Sequence, residues 1–164
     1  MFLSLKMVST LVGLHVAISE IGIVAFLWAF IDILNPNPER IKRAKLLALI
    51  GTVLFFISWL SGGYYYVDTY GVDVKPLIKA GPQPWAHSII MEAKEHIFLM
   101  LPFLGFICYA FIRKYEKELA KGTNKQTRKA VLLLLGLTIF LGVLMAFFGY
   151  LISSGYRTAL EALI

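Results

Sequence analysis

Four continuous apolar runs dominate this sequence and restrict what it can fold into. They cover residues 7–34, 44–66, 85–112 and 130–152, and each is long enough for the roughly 20 residues that a helix needs to cross a bilayer. Hydrophobic residues make up 59% of the chain and charged residues only 16%, whereas a soluble domain is about a quarter charged. We therefore predict an all-α membrane protein in which residues 1–164 form one domain of four transmembrane helices.

The same composition excludes several other classes of protein. Intrinsic disorder needs low hydrophobicity and high charge, and a disulfide scaffold needs cysteine pairs, but Cys108 is the only cysteine. The net charge of +6 does not indicate nucleic-acid binding, because the basic residues do not line one soluble face. The sequence also lacks nucleotide-binding loops and a Ser-His-Asp set in a plausible context, which argues against nucleotide-driven pumps and hydrolases.

The basic residues predict how the helices are oriented in the membrane. Eleven of the sixteen lie around the linker at 35–45 or in the basic loop that we predict at 113–129, and the positive-inside rule places such segments in the cytoplasm. Both termini and the outer loop, residues 67–84, then lie outside. The prediction is an up-down-up-down bundle with the first and third helices diagonal to each other. We expect it in the cytoplasmic membrane of a prokaryote.

Polar residues inside the spans are the candidates for function, because a charge in the bilayer costs a few kcal/mol on insertion scales. Counted from the cytoplasmic ends of their helices, His15 and His96 differ in height by only about 3 Å. On a helical wheel Lys94 points away from its polar neighbours, so we expect it to extend to the outer headgroups. The candidates are His15 and Glu20 in the first span and Glu92, Lys94, Glu95 and His96 in the third.

Two histidines at matched depth on parallel helices predict haem binding. Each neutral imidazole could ligate iron from one side of a haem b, and Gly22 would leave space for the edge of the macrocycle. Glu20, deeper in the span, would accept a proton during quinol oxidation. The first hypothesis is therefore a protein analogous in fold to four-helix b-type cytochromes. It would carry electrons from quinol to an extracytoplasmic redox protein, as a quinol-linked oxidoreductase or a subunit of one.

Two other functions stay open at this stage. A non-haem site for zinc, iron or copper would use a two-histidine, carboxylate ligand set. Alternatively, the chain is a non-catalytic membrane subunit or assembly factor whose polar cluster binds a partner or lipid. Small residues in the spans permit homo- or hetero-oligomers without requiring them. The predicted ligands of the divalent metal are His15, Glu92, Glu95 and His96.

His87 and the outer loop complete the sequence-based expectations. His87 is nine residues before His96 and follows Pro84 and Trp85 at the start of the third span, so we expect it at the surface. The loop at 67–84 is long for a bundle connection, for which about 2 to 8 residues are usual. We expect it to cover the outer end of the bundle, to dock a partner, or to lie at the membrane interface, held there by its tyrosines.

Overall fold

A computed structural model describes the backbone from residue 2 and the side chains from residue 10. Every regular element in that part of the chain is helical. The elements are α1 (Phe2–Leu34), α2 (Pro38–Tyr65), the π-helix π1 (Tyr66–Val74), α3 (Lys75–Ala80), the π-helix π2 (Ala86–Met91), α4 (Glu92–Lys114), α5 (Glu116–Lys121) and α6 (Lys125–Glu161).

Four of the helical segments in the described residues are long and apolar enough to cross a membrane. They are α1, the run from α2 to α3, the run from π2 to α4, and α6. Packed together they form a helical bundle, so the predicted all-α class and the prediction of four long apolar helices that could span a membrane are confirmed. The candidate spans indicate an integral membrane protein.

The linker between α1 and α2 shows why the first two helices separate where they do. Proline cannot donate a backbone hydrogen bond and disfavours a helical conformation in the residue before it. Helix α1 ends at Leu34, and Pro38 is the first residue of α2. The side chain of Asn37 caps α2 by accepting a hydrogen bond of 2.8 Å from the backbone N–H of Arg40.

Contacts at the two ends of the bundle give the relative directions of its helices. Arg43 in α2 donates to both carboxylate oxygens of Asp32, at 2.8 and 2.6 Å, whereas the far part of α2 contacts His15 through Ser58. Neighbouring α1 and α2 are therefore antiparallel. Helices α1 and α4 each pack against both α2 and α6, which places α1 and α4 diagonally across the bundle.

We call the end of the bundle that contains the 35–37 linker and α5 the basic end. The bidentate Asp32–Arg43 pair lies there, and Lys45 donates to Glu116 of α5 at 2.6 Å. Helix α5 falls inside the run 113–129, which we predicted to be a loop. Glu116, the first residue of α5, accepts this hydrogen bond from Lys45 of α2. Leu119 of α5 is buried in the apolar core of the bundle.

Between the two ends the bundle is closely packed and apolar. Phe26 and Phe55 are almost completely buried at its centre, with ring centroids 5.2 Å apart. Helices α1 and α2 approach closely here, because a Cβ on Gly51 would lie 2.7 Å from the Phe26 ring and 3.1 Å from the carbonyl oxygen of Gly22. Small residues allow this kind of backbone approach between membrane helices.

The structure differs from the prediction over residues 67–84, which we expected to form a loop. Most of this segment is helical, as π1 and α3, and only residues 81–85 connect it to π2. Together with π2 and the end of α6 it forms a second small core around Tyr70, Val74, Ile78, Ala86 and Ile152. We call this layer of π1, α3, π2 and the end of α6 the cap, and the adjacent end of the bundle the capped end.

Candidate functional site

The most informative polar residue near the capped end is His15 on α1. Its Nδ1 lies 2.9 Å from the backbone carbonyl oxygen of Ser58 on α2. A carbonyl only accepts hydrogen bonds, so Nδ1 must donate and Nε2 carries no proton in the neutral ring. The ring also lies against Gly62, where a Cβ would come within 2.8 Å of it. His15 is therefore held in one tautomer, with Nε2 left as an acceptor.

Serine hydroxyls fix the surroundings of this imidazole. Ser19 Oγ donates to the carbonyl oxygen of His15 at 2.9 Å and shares a short hydrogen bond with Ser58 Oγ. Ser58 is fully buried, and its hydroxyl also lies 3.0 Å from His15 Nδ1. The imidazole is thus attached to both α1 and α2, which limits its movement.

Lys94 on α4 points into the bundle and not out to the headgroups as we expected. Its Nζ lies 3.2 Å from the position that a Cβ on Gly149 of α6 would occupy. Phe98, one helical turn further along the same face of α4, contacts the His15 ring. Among the residues that the structure describes, no hydrogen bond or ion pair involves this ammonium. A partly buried cation without an acidic partner is costly unless something else supplies an acceptor.

The helical wheel explains why the expectation for Lys94 failed. Leu101, Gly105 and Cys108 are buried in the bundle, and they lie within about 40° of Lys94 around α4. The sequence shows correctly that Lys94 points away from Glu92 and His96. It does not show that the core lies on the lysine's side of the helix.

His96 consequently does not face His15. It is exposed on the outside of the bundle, about 160° around α4 from Lys94, and its Nδ1 lies 2.6 Å from the carbonyl oxygen of Glu92 in its own helix. Phe98 is the residue of α4 that meets the His15 ring, at a centroid distance of 5.7 Å. A haem with His15 and His96 as its two axial ligands does not fit this arrangement.

The four predicted metal ligands also lie apart from one another. Glu92 is exposed beside His96, whereas Glu95 is half-buried and turns towards the Tyr66 hydroxyl. In the described part of the chain, no group of three or more His, Cys, Asp or Glu residues is arranged to hold a metal ion. One carboxylate oxygen of Glu95 is buried, and none of the described residues forms a hydrogen bond with it.

Glu20 and Gly22 also lie away from any cofactor-sized space. Glu20 is exposed on the outside of α1, opposite the buried stripe that contains Phe26 and Ala29. Gly22 is buried against α2, where a Cβ would lie 2.9 Å from the Phe55 ring. Gly22 therefore serves helix packing, and Glu20 does not approach His15.

The cap contains a polar cluster that the sequence did not predict. His87, expected at the surface, is 2% exposed, and its Nδ1 lies 3.0 Å from the hydroxyl of Tyr70. Its Nε2 is 3.7 Å from Glu92, and Tyr66 stacks on Tyr70 with centroids 5.3 Å apart. One sequence signal was available, because Tyr66, Tyr70, Val74 and Ile78 recur every four residues and so share a helix face.

Replacing Tyr70 with phenylalanine tests the role of this hydrogen bond in the cap. We expect a loss of about 1 kcal/mol in the free energy of unfolding, because the buried His87 nitrogen loses its partner. Thermal unfolding in detergent measures the change, and Tyr64→Phe is the control because Tyr64 is 61% exposed. Equal stability of the two variants would show that the Tyr70–His87 bond does not hold the cap.

Comparison with protein-family models, with curated proteins and with solved structures gives no match to this chain.

Proposed function

We propose that the protein binds the head group of a lipid-soluble quinol near the capped end of the bundle and accepts a proton from it. The observation that carries the proposal is the placement of two complementary groups near the same end of the bundle. They are the His15 Nε2, which is left as an acceptor, and the Lys94 ammonium, which has no hydrogen-bond or ion-pair partner among the described residues. When a quinol hydroxyl group gives up its proton, the proton needs an acceptor. The negatively charged oxygen that remains needs a positively charged hydrogen-bond donor. His15 and Lys94 supply these two functions.

The chemistry assigned to the chain is limited to binding and proton transfer. His15 Nε2 accepts the hydroxyl proton as a general base, while Ser58 keeps the ring in the required tautomer. Lys94 stabilises the negative charge on the quinol oxygen. The two electrons released when the quinol becomes a quinone pass to a redox partner outside the membrane, and the proton of the second hydroxyl group passes to water at the outer membrane surface.

The proposal also includes an orientation of the protein in the membrane. With the basic end in the cytoplasm, the bundle runs up-down-up-down, both termini lie outside, and the cap faces the extracytoplasmic side. Eleven of the sixteen basic residues near the basic end support this orientation. His15 and Lys94 then lie about 30 Å from the cytoplasmic ends of their helices, near the outer boundary of the hydrocarbon.

Haem binding stays a second candidate because an unprotonated Nε2 is also what iron requires. An Nδ1 that donates to a backbone carbonyl is the usual arrangement of a metal-ligating histidine, and His15 has it. His96 is the difficulty, since bringing it to His15 would turn α4 by about 160° and remove Leu101 and Gly105 from the core. A reduced-minus-oxidised spectrum that shows an α band dependent on both histidines would favour haem over the quinol site.

Quinol binding is tested by titrating the detergent-purified protein with decylubiquinol and following tryptophan fluorescence. We expect His15→Leu to weaken binding about tenfold, because the acceptor for the hydroxyl proton is lost. His96→Leu is the matched control, and we expect it to bind like the unaltered protein. Trp59 lies next to Ser58 on α2 and serves as the reporter.

Two results would overturn the proposal. The first is an absence of saturable quinol binding to the unaltered protein. The second is an equal loss of binding in the two histidine variants. A thermal unfolding scan of His15→Leu separates lost binding from lost folding, since Ser58 loses its hydrogen bonds to the imidazole in that variant.

A further inference from the structure

A groove at the basic end of the bundle, on the face between α1 and α6, is unconnected with the His15 site. Its volume is about 520 Å³, and its lining is apolar except for Lys129. Phe30 of α1 forms one wall and α6 the other. Gly136 keeps the floor open, because a Cβ there would meet only Phe30, at 3.8 Å.

We infer that this groove binds one acyl chain of an anionic phospholipid, with the lipid phosphate at Lys129. The inference rests on the length of the groove, its lining and the position of its charge. It does not depend on the proposed quinol site.

The length of the groove matches one leaflet of a bilayer. From Lys129 to Phe140 the lining of α6 extends over twelve residues, and the rise between the first and the last of them is about 16 Å. Half of the hydrocarbon core is about 15 Å. A chain that starts at the headgroup level would therefore end where the groove ends.

The charge lies at the correct end for a lipid headgroup. Lys129 is exposed, one turn after the start of α6, and the first turn of α6 contains no acidic residue. In the part of the chain that the structure describes, no ion pair involves Lys129. Anionic headgroups attract such lysines at the membrane surface. The groove and its lysine together match the two parts of a phospholipid.

Native mass spectrometry with phosphatidylglycerol and phosphatidylcholine of identical acyl chains tests the inference. We expect the unaltered protein to retain phosphatidylglycerol preferentially and Lys129→Gln to reduce this retention about fivefold. Gly136→Leu should reduce retention of both lipids, because the added side chain fills the groove.

Matched variants serve as controls and make the inference falsifiable. Ala146→Leu adds bulk to an exposed position of α6 outside the groove, and Lys121→Gln removes a charge from α5. Both should retain lipid like the unaltered protein. Equal retention of the two lipids by the unaltered protein, or unchanged retention in both Gly136→Leu and Lys129→Gln, would overturn the inference. A dimer that Gly136→Leu abolishes would show that the groove binds a second copy of this chain instead.

Discussion

Replacing Lys94 with methionine is expected to make the protein more stable and much less able to bind quinol. Methionine has a similar length and no charge, so the variant removes a partly buried ammonium that has no acidic partner among the described residues. We expect the free energy of unfolding to rise by about 1 to 3 kcal/mol. Affinity for decylubiquinol should fall by about tenfold or more, because a charge-assisted hydrogen bond is lost.

The opposite signs of these two effects make the Lys94 experiment decisive. If Lys94 had only a structural role, its replacement would lower both the stability of the protein and its binding of quinol. A functional residue, in contrast, is often kept at the expense of stability. Lys79→Met is the control, because Lys79 is exposed on α3 in the cap. If Lys94→Met were less stable and bound quinol normally, Lys94 would have no place in the proposed site.

Replacing Gly51 with valine is expected to have the largest effect on the fold. The added Cβ would lie within 3.1 Å of both the Phe26 ring and the backbone of Gly22, so α1 and α2 would have to separate. We expect a loss of about 2 to 3 kcal/mol in the free energy of unfolding. Thermal unfolding in detergent measures it.

Gly63 provides the control for Gly51 on the same helix. A Cβ on Gly63 would have no neighbour within 4 Å, so Gly63→Val should differ from the unaltered protein only through the difference in helix propensity between the two residues, which slightly favours valine. Equal stability of the two variants would mean that the close approach of α1 and α2 contributes nothing to the bundle.

The sequence predicted the spans well because membrane helices depend on a single strong signal. Continuous apolar runs and the Asn-Pro linker locate the helices without any knowledge of their packing, and α1 does end before that linker. The structure of the segment at 67–84 was harder to predict, since Gly71 and its polar neighbours are typical of a loop. Its helical structure depends on burial of Tyr70 and Val74 against π2 and α6, and such partners are not visible in one sequence.

The candidate site was predicted only in part for a related reason. The sequence identified His15 and the polar start of α4, and it separated Lys94 correctly from the Glu92 face. Which of these two faces is buried depends on where α1 and α6 lie, and helical periodicity alone does not determine that. A polar residue near the end of a span can lie in the core if the facing helices have small residues there. Gly149 provides that space for Lys94.

The length of α6 determines how much of the protein stands outside the lipid. Its 37 residues extend about 54 Å, whereas the hydrocarbon of a bilayer is about 30 Å thick. A detergent micelle would therefore cover little more than half of this helix. The cap is attached to the exposed remainder through Ile152 and Tyr156, so purified particles should carry a rigid projection on one side. An antibody fragment raised against that projection would mark a single side of the membrane in intact cells.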